Sequence, residues 1–239
     1  MERISNVFTP PHRSYRYLDT VTAAFVTVLI VSNVASSAKI VDLHAVIFGI
    51  PLIFDGGTIL FPISYIFGDI LTEVYGFKAS RKVIWTGFAA LALSCAVFFV
   101  LKLLPGDALW NEYAGNSAYI AILGGMCSGG LWVASLSAYL IGEFSNSMLM
   151  AHIKVLMKGR FLFVRTIGST LVGEFLDTFV FIGIATLMGV FDQSLFWSLI
   201  ITNYILKCAL EIVMTPATYF AVARLKKGER GTIEGVAAR

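Results

Sequence analysis

A handful of charged side chains sets the problem in this sequence, because they fall inside segments apolar enough to cross a bilayer. Asp69 and Glu73 stand four residues apart in the stretch from Gly56 to Gly87, which puts both carboxylates on one face of a helix. Glu174 and Asp177 follow three apart in a later apolar run, with Ser169, Thr170 and Thr178 on nearby turns and Arg165 at its edge. Asn203, Lys207 and Glu211 step by four along the last such run. An Asp or Lys at the centre of a membrane helix costs about 2.5–3.5 kcal/mol on insertion scales, so such groups pair, face water or carry a proton.

The acids outnumber the one mid-depth lysine, so pairing within the membrane does not balance them. An ion-pair network that merely holds helices together is one reading. The amount of polar material converging from separate segments favours a hydrophilic substrate cavity. Asn33 and Ser32, with Ser36 one turn on, could extend it, although a lone membrane asparagine serves equally as an interhelical clamp. Tyr65, Phe67, Trp132, Phe175 and Phe179 could stack on a planar ligand, against the plainer role of facing lipid or neighbouring helices.

These groups need helices to carry them, and the composition supplies helices. Of 239 residues, 57% are hydrophobic, above the roughly 45–50% of soluble domains, so the chain reads as an all-α integral membrane protein. Six segments reach about 20 apolar residues: 17–38, 57–75, 83–104, 118–141, 166–190 and 195–223. They predict one six-helix transmembrane domain over residues 1–224, followed by a charged, disordered tail at 225–239. Ser36-Ser37-Ala38 resembles a signal-peptide cleavage site, but the long apolar run with Ser32 and Asn33 reads as a retained helix.

Basic residues orient the bundle. Most of the 18 Lys and Arg lie in the N-terminal tail, the 76–82 connection, the 154–165 connection and the C-terminal tail, while the opposite loops hold Lys39 and Lys102. The positive-inside rule then places both termini in the cytoplasm. A net charge of +3 at membrane edges gives no reason to expect nucleic acid.

The connections carry further expectations. Residues 39–55, broken by Gly49 and Pro51, are too short to span and read as a packed loop, a re-entrant piece or short strands that could act as a lid. Gly142 to Arg160 reads as a cytoplasmic extension lying along the interface. Gly130, Ala134, Ala138 and Gly142 form a row of small residues, which favours tight packing inside one bundle over a homodimer contact.

Other chemistries find little support. Cys95, Cys127 and Cys208 lie in apolar segments without CxxC spacing, and His12, His44 and His152 show no ligand pattern, so neither a disulfide framework nor a metal or other cofactor is expected. There is no Gly-rich phosphate loop for ATP hydrolysis. Gly68-Asp69 and Asp177 faintly suggest an intramembrane aspartyl enzyme, but its PAL signature is missing. A channel would want rings of like charge around an oligomeric axis, whereas these acids lie on several helices of one chain.

Three stretches carry a resemblance: GTILFPISYIFGDILTEVYGFKASRKVIW from Gly57, RTIGSTLVGEFLDT from Arg165, and KCALEIVMTPATY from Lys207, together with Ser32-Asn33 and Lys39-Ile40-Val41. Through them the chain resembles the bacterial queuosine precursor transporter family, also called the vitamin uptake transporter family. The resemblance implies a multi-pass inner-membrane importer, not an enzyme, that takes up 7-cyano-7-deazaguanine or a related 7-deazaguanine for salvage into modified tRNA. It also implies a fold like the substrate-binding subunits of energy-coupling-factor transporters. Those subunits often dock their partner through an AxxxA row on the first helix, and here Ala24 is followed by Val28, which weakens the case for an ATP-driven partner. Proton coupling and facilitated diffusion both stay open.

For such a ligand, a carboxylate can accept both donors of the amino-pyrimidinone edge. The acceptors implied are Glu174 and Asp177 first, then Asp69 and Glu73, with Asn203 or Asn33 on the carbonyl and Phe67 or Phe175 over the ring. Lys207 and Glu211 are expected to brace helices or relay a proton, and Arg165 to brace the inner gate.

Overall fold

The computed structural model describes residues 15–47, 50–190 and 192–237. After α1 (Leu18–Ala38) the chain turns into a hairpin, β1 (Ile40–Ile47) antiparallel to β2 (Ile50–Asp55), with Ile40 opposite Asp55 and a register shift between Asp42 and Val46. The 39–55 connection is therefore short strands. A 3-10 turn over Gly56–Ile59 seats against α1, where a Cβ on Gly56 would come within 2.7 Å of the Ala35 carbonyl oxygen. Ser32 Oγ donates to the Gly57 carbonyl at 3.3 Å.

The next segment positions the site. α2 (Phe61–Ile70) starts beside Pro62, whose missing N–H costs nothing in a first turn. It runs into one π turn, Leu71–Tyr75, and stops at Gly76, whose φ of 84° favours glycine. Asp69 through Glu73 are buried without interruption, so this short helix is core and not a lipid-facing wall.

Long helices surround it: α3 (Phe77–Leu103), α6 (Gly129–Leu156), α7 (Leu162–Leu187) and α8 (Phe196–Ala237), with short α4 (Ala108–Tyr113) and α5 (Gly115–Cys127) between α3 and α6. Five helical stretches among the described residues are long and apolar enough to cross a membrane: 18–38, 77–103, 115–156, 162–187 and 199–229. Leu93, Leu103, Leu187 and Val213 on their outer faces are at least 65% exposed, as lipid contact requires. The protein is thus a multi-pass, all-α integral membrane protein with one small hairpin.

Four expectations change on folding. The run 118–141 is not one helix, because the chain takes an extended conformation at Ser128 between α5 and α6. Residues 57–75 are not one continuous helix but a 3-10 turn, α2 and a π turn, because the segment is packed inside the bundle. Residues 142–160 do not lie along the interface. α6 continues through them to Leu156, with Ser147 and Met150 buried and Ser147 hydrogen-bonded to Thr72 and Ser80, each at 2.7 Å. The tail expected to be disordered from Leu225 continues α8 to Ala237. Its anchor is Glu229, which accepts the backbone N–H groups of Arg16 and Tyr17, each at 2.9 Å, and the Tyr75 hydroxyl at 3.2 Å.

The small-residue row works inside the chain. Ala134, Ala138 and Gly142 are buried, and a Cβ on Gly142 would stand 2.7 Å from Asp177 Cβ on α7. Gly173 answers from α7, where a Cβ would stand 2.7 Å from Asn146 Cβ. Two helices that meet this closely set their polar side chains at nearly fixed positions.

Candidate functional site

The α6–α7 contact presents Glu174 and Asp177 toward α8, and Lys207 enters between them. Its Nζ lies 3.0 Å from Glu174 Oε2 and also donates to Asp177 Oδ2. All three side chains are largely buried, with 15–26% exposure, so none is sealed off completely. The arrangement is an ammonium donor between two carboxylate acceptors. Glu143 on α6 lies within electrostatic reach of all three.

One layer away stands a second polar group of a different kind. Asp69 on α2 and Glu211 on α8 face each other, 0% and 2% exposed. Neither carboxyl has a hydrogen-bond partner on any of its oxygens among the described residues, and no cation pairs with either of them there. Glu143, Glu73 and Glu174 are their other charged neighbours, and the Thr170 hydroxyl lies beside Glu211. Gly68 lies against α6, where a Cβ would make ordinary contact with Glu143 Oε2 at 3.4 Å and Asn146 Nδ2 at 3.5 Å.

Glu73, next along the same face, belongs to a third group. Arg165 on α7 donates to it through Nη1 at 2.5 Å and Nη2 at 3.4 Å. Lys154 on α6 lies 3.3 Å from its carboxylate and donates to its backbone carbonyl at 2.8 Å, and Lys226 on α8 also donates to the side chain. Arg165 reaches the Gly159 carbonyl as well, at 3.2 Å. One carboxylate on the π turn therefore pins three helices at the basic end of the bundle.

The structure brings Glu174, Asp177, Lys207, Asp69 and Glu211 into adjoining groups and leaves the remaining candidates outside them. Asn203 is exposed and bonds the Leu199 carbonyl of its own helix at 2.9 Å. Asn33 likewise bonds Leu29 at 2.8 Å. Phe175, 43% exposed, stacks on Phe179 at the outer surface, while Phe67 packs edge-on against Phe25. The side chain of Tyr65 lies outside the described residues. Glu143, Asn146, Lys154 and Lys226 were not singled out in the sequence. The signal for the first two was the Gly142 row, which marks the face of α6 that meets α7; reading residues 142–160 as an interfacial piece hid them. Among the described residues no cluster of His, Cys, Asp and Glu is arranged to hold a metal.

Residues 55–221 match the family model described as "Putative vitamin uptake transporter", which covers more than half of the chain and all three polar groups but for Lys226. The chain belongs to this family. A curated protein similar to this chain, from Bacillus subtilis (strain 168), is named "Probable queuosine precursor transporter"; it is 26% identical over 178 residues, 74% of this chain and 75% of the relative. No solved structure matches. Membership makes the protein a transporter and not an enzyme, and the intramembrane-enzyme alternative is set aside.

Proposed function

We propose that this vitamin uptake transporter imports a 7-deazaguanine base, 7-cyano-7-deazaguanine or a close relative, across a bacterial inner membrane for tRNA modification. The observation that carries the reading is Lys207 held between Glu174 and Asp177. A guanine-like edge presents one acceptor, the ring carbonyl, beside two donors, the ring N–H and the exocyclic amine. An ammonium beside a carboxylate offers one donor beside two acceptors, which is the complementary row. The base enters by exchanging its own groups for those of the triad, so Lys207 passes from Asp177 to the ring carbonyl while a carboxylate takes the donor edge. The relative's printed name supports the same substrate class.

The topology that goes with this function has both termini in the cytoplasm, with Lys154, Arg165 and Lys226 at the inner end. On this reading the α2 helix and its π turn form the sixth crossing of a fold like the substrate-binding subunits of energy-coupling-factor transporters.

Titration of the detergent-purified protein with 7-cyano-7-deazaguanine, its aminomethyl analogue, queuine and guanine tests the reading by melting temperature. A true ligand at a hundredfold excess over its Kd adds about 2.7 kcal/mol. Stabilisation by deazaguanines that Glu174→Gln or Asp177→Asn removes is the expected result. A well-folded sample that responds to none of them overturns the substrate, and a vitamin-type ligand of another class becomes the alternative. Stabilisation that survives both substitutions overturns the site.

A further inference from the structure

We infer that Asp69 and Glu211 hold a single proton between them and that this proton is the ion that drives import, an inference that rests on the transport reading above. The two carboxyls sit on different helices, face each other, and are 0% and 2% exposed. An ionised carboxylate is acceptor-only, so two ionised groups here would repel each other with no cation to compensate and only the Thr170 hydroxyl, beside Glu211, as a donor. One proton converts the pair into a donor facing an acceptor, the arrangement by which buried carboxyl dyads share a proton. By contrast, the other buried acids in contact with cations are paired: Glu73 by Arg165, Lys154 and Lys226, and Glu174 and Asp177 by Lys207.

The surroundings of the pair connect it to the substrate groups. Asp69 faces Glu211 of α8, Glu143 of α6 and Glu73 of its own segment. Glu211 faces Asp69 together with Thr170 and Glu174 of α7. From α1 the uncharged Phe25 packs edge-on against Phe67 of this segment. Glu174 is therefore shared: it pairs with Lys207 in the triad and also stands beside Glu211. When a base takes over contacts of Lys207, Glu174 loses part of its compensation, and its field on Glu211 strengthens the hold on the proton. Substrate and proton then favour each other's binding, as reciprocal linkage demands. The proton adds to a carboxylate oxygen from the outer side and leaves to water on the inner side, with no other bond made or broken.

The test uses the full chain in liposomes loaded at neutral pH, with the membrane potential clamped and labelled 7-cyano-7-deazaguanine outside. With the outside one pH unit more acidic, one proton per base supports up to about tenfold accumulation over the ungraded control. Asp69→Asn and Glu211→Gln are expected to bring that ratio toward one. They should also diminish the infrared carbonyl band of protonated carboxyl groups seen in the unsubstituted protein. A gradient that leaves accumulation unchanged in a protein that equilibrates the base overturns the inference, as does an infrared band undiminished in both variants. If the base neither binds nor equilibrates in the unsubstituted protein, the substrate reading fails instead. The infrared comparison then decides the proton pair alone.

Discussion

Arg165 closes a fork on Glu73, with Nη1 2.5 Å from Oε2 and Nη2 3.4 Å from Oε1, and both side chains are 2% exposed. This pair ties the start of α7 to the π turn, and Lys154 and Lys226 bring α6 and α8 to the same carboxylate. Glu73 thus acts as a pin at the basic end of the bundle.

Arg165→Met should destabilise the protein, by less than the about 3–5 kcal/mol of an uncompensated buried charge, because Lys154 and Lys226 stay on Glu73. Arg165→Met combined with Glu73→Gln should cost less than the sum of the two single changes. A double-mutant cycle on melting in detergent measures this, and strict additivity would show that the fork carries no coupling.

On the proposed function, Lys207→Gln should abolish uptake of 7-cyano-7-deazaguanine, since it takes away the charge paired with Glu174 and Asp177. Lys207→Arg should restore little, because a planar guanidinium cannot replace a compact ammonium between two carboxylates. Uptake by cells that lack their own synthesis of the base reads both variants. Normal uptake by Lys207→Gln would remove the triad from the mechanism.

Gly173→Val should lower stability by about 1–3 kcal/mol, an overpacking cost, because its Cβ would fall 2.7 Å from Asn146 Cβ. Gly183→Ala on the same helix meets nothing within 4 Å and should be tolerated. The monodisperse fraction after stepwise heating distinguishes the two, and equal behaviour would contradict the close α6–α7 approach.

Glu229→Ala should release the end of α8. It removes a carboxylate that accepts two backbone N–H groups and one hydroxyl, bonds worth about 1.5–3 kcal/mol each when the acceptor is charged. Limited proteolysis should then cut after Arg224, Lys226 or Lys227 faster than in the unsubstituted protein. An unchanged digestion pattern would mean that the helix beyond Leu225 does not depend on this anchor.

Several features were legible without coordinates. Apolar runs of membrane length announced an integral membrane helical protein, because hydrocarbon demands that backbone polar groups be satisfied within each helix. The intramembrane charges announced themselves by their cost. Asp69, Glu73, Glu174, Asp177, Lys207 and Glu211 were all visible as outliers, and the spacing of each pair on its own helix was readable from the helical period.

Tertiary structure alone decided which charge meets which. Partners from different helices are set by how α6, α7 and α8 pack, and that packing turns on Gly142 and Gly173, whose meaning depends on the surface opposite. Sequence spacing placed Asp69 and Glu73 side by side, yet packing gave one an acid for a neighbour and the other three cations. The same holds for the tail: residues 225–237 look solvated when read alone, and they are helical because Glu229 and Lys226 find partners far away in the chain. A local pattern fixes the face on which a charge sits, while the energy of that charge depends on neighbours that only the folded chain supplies.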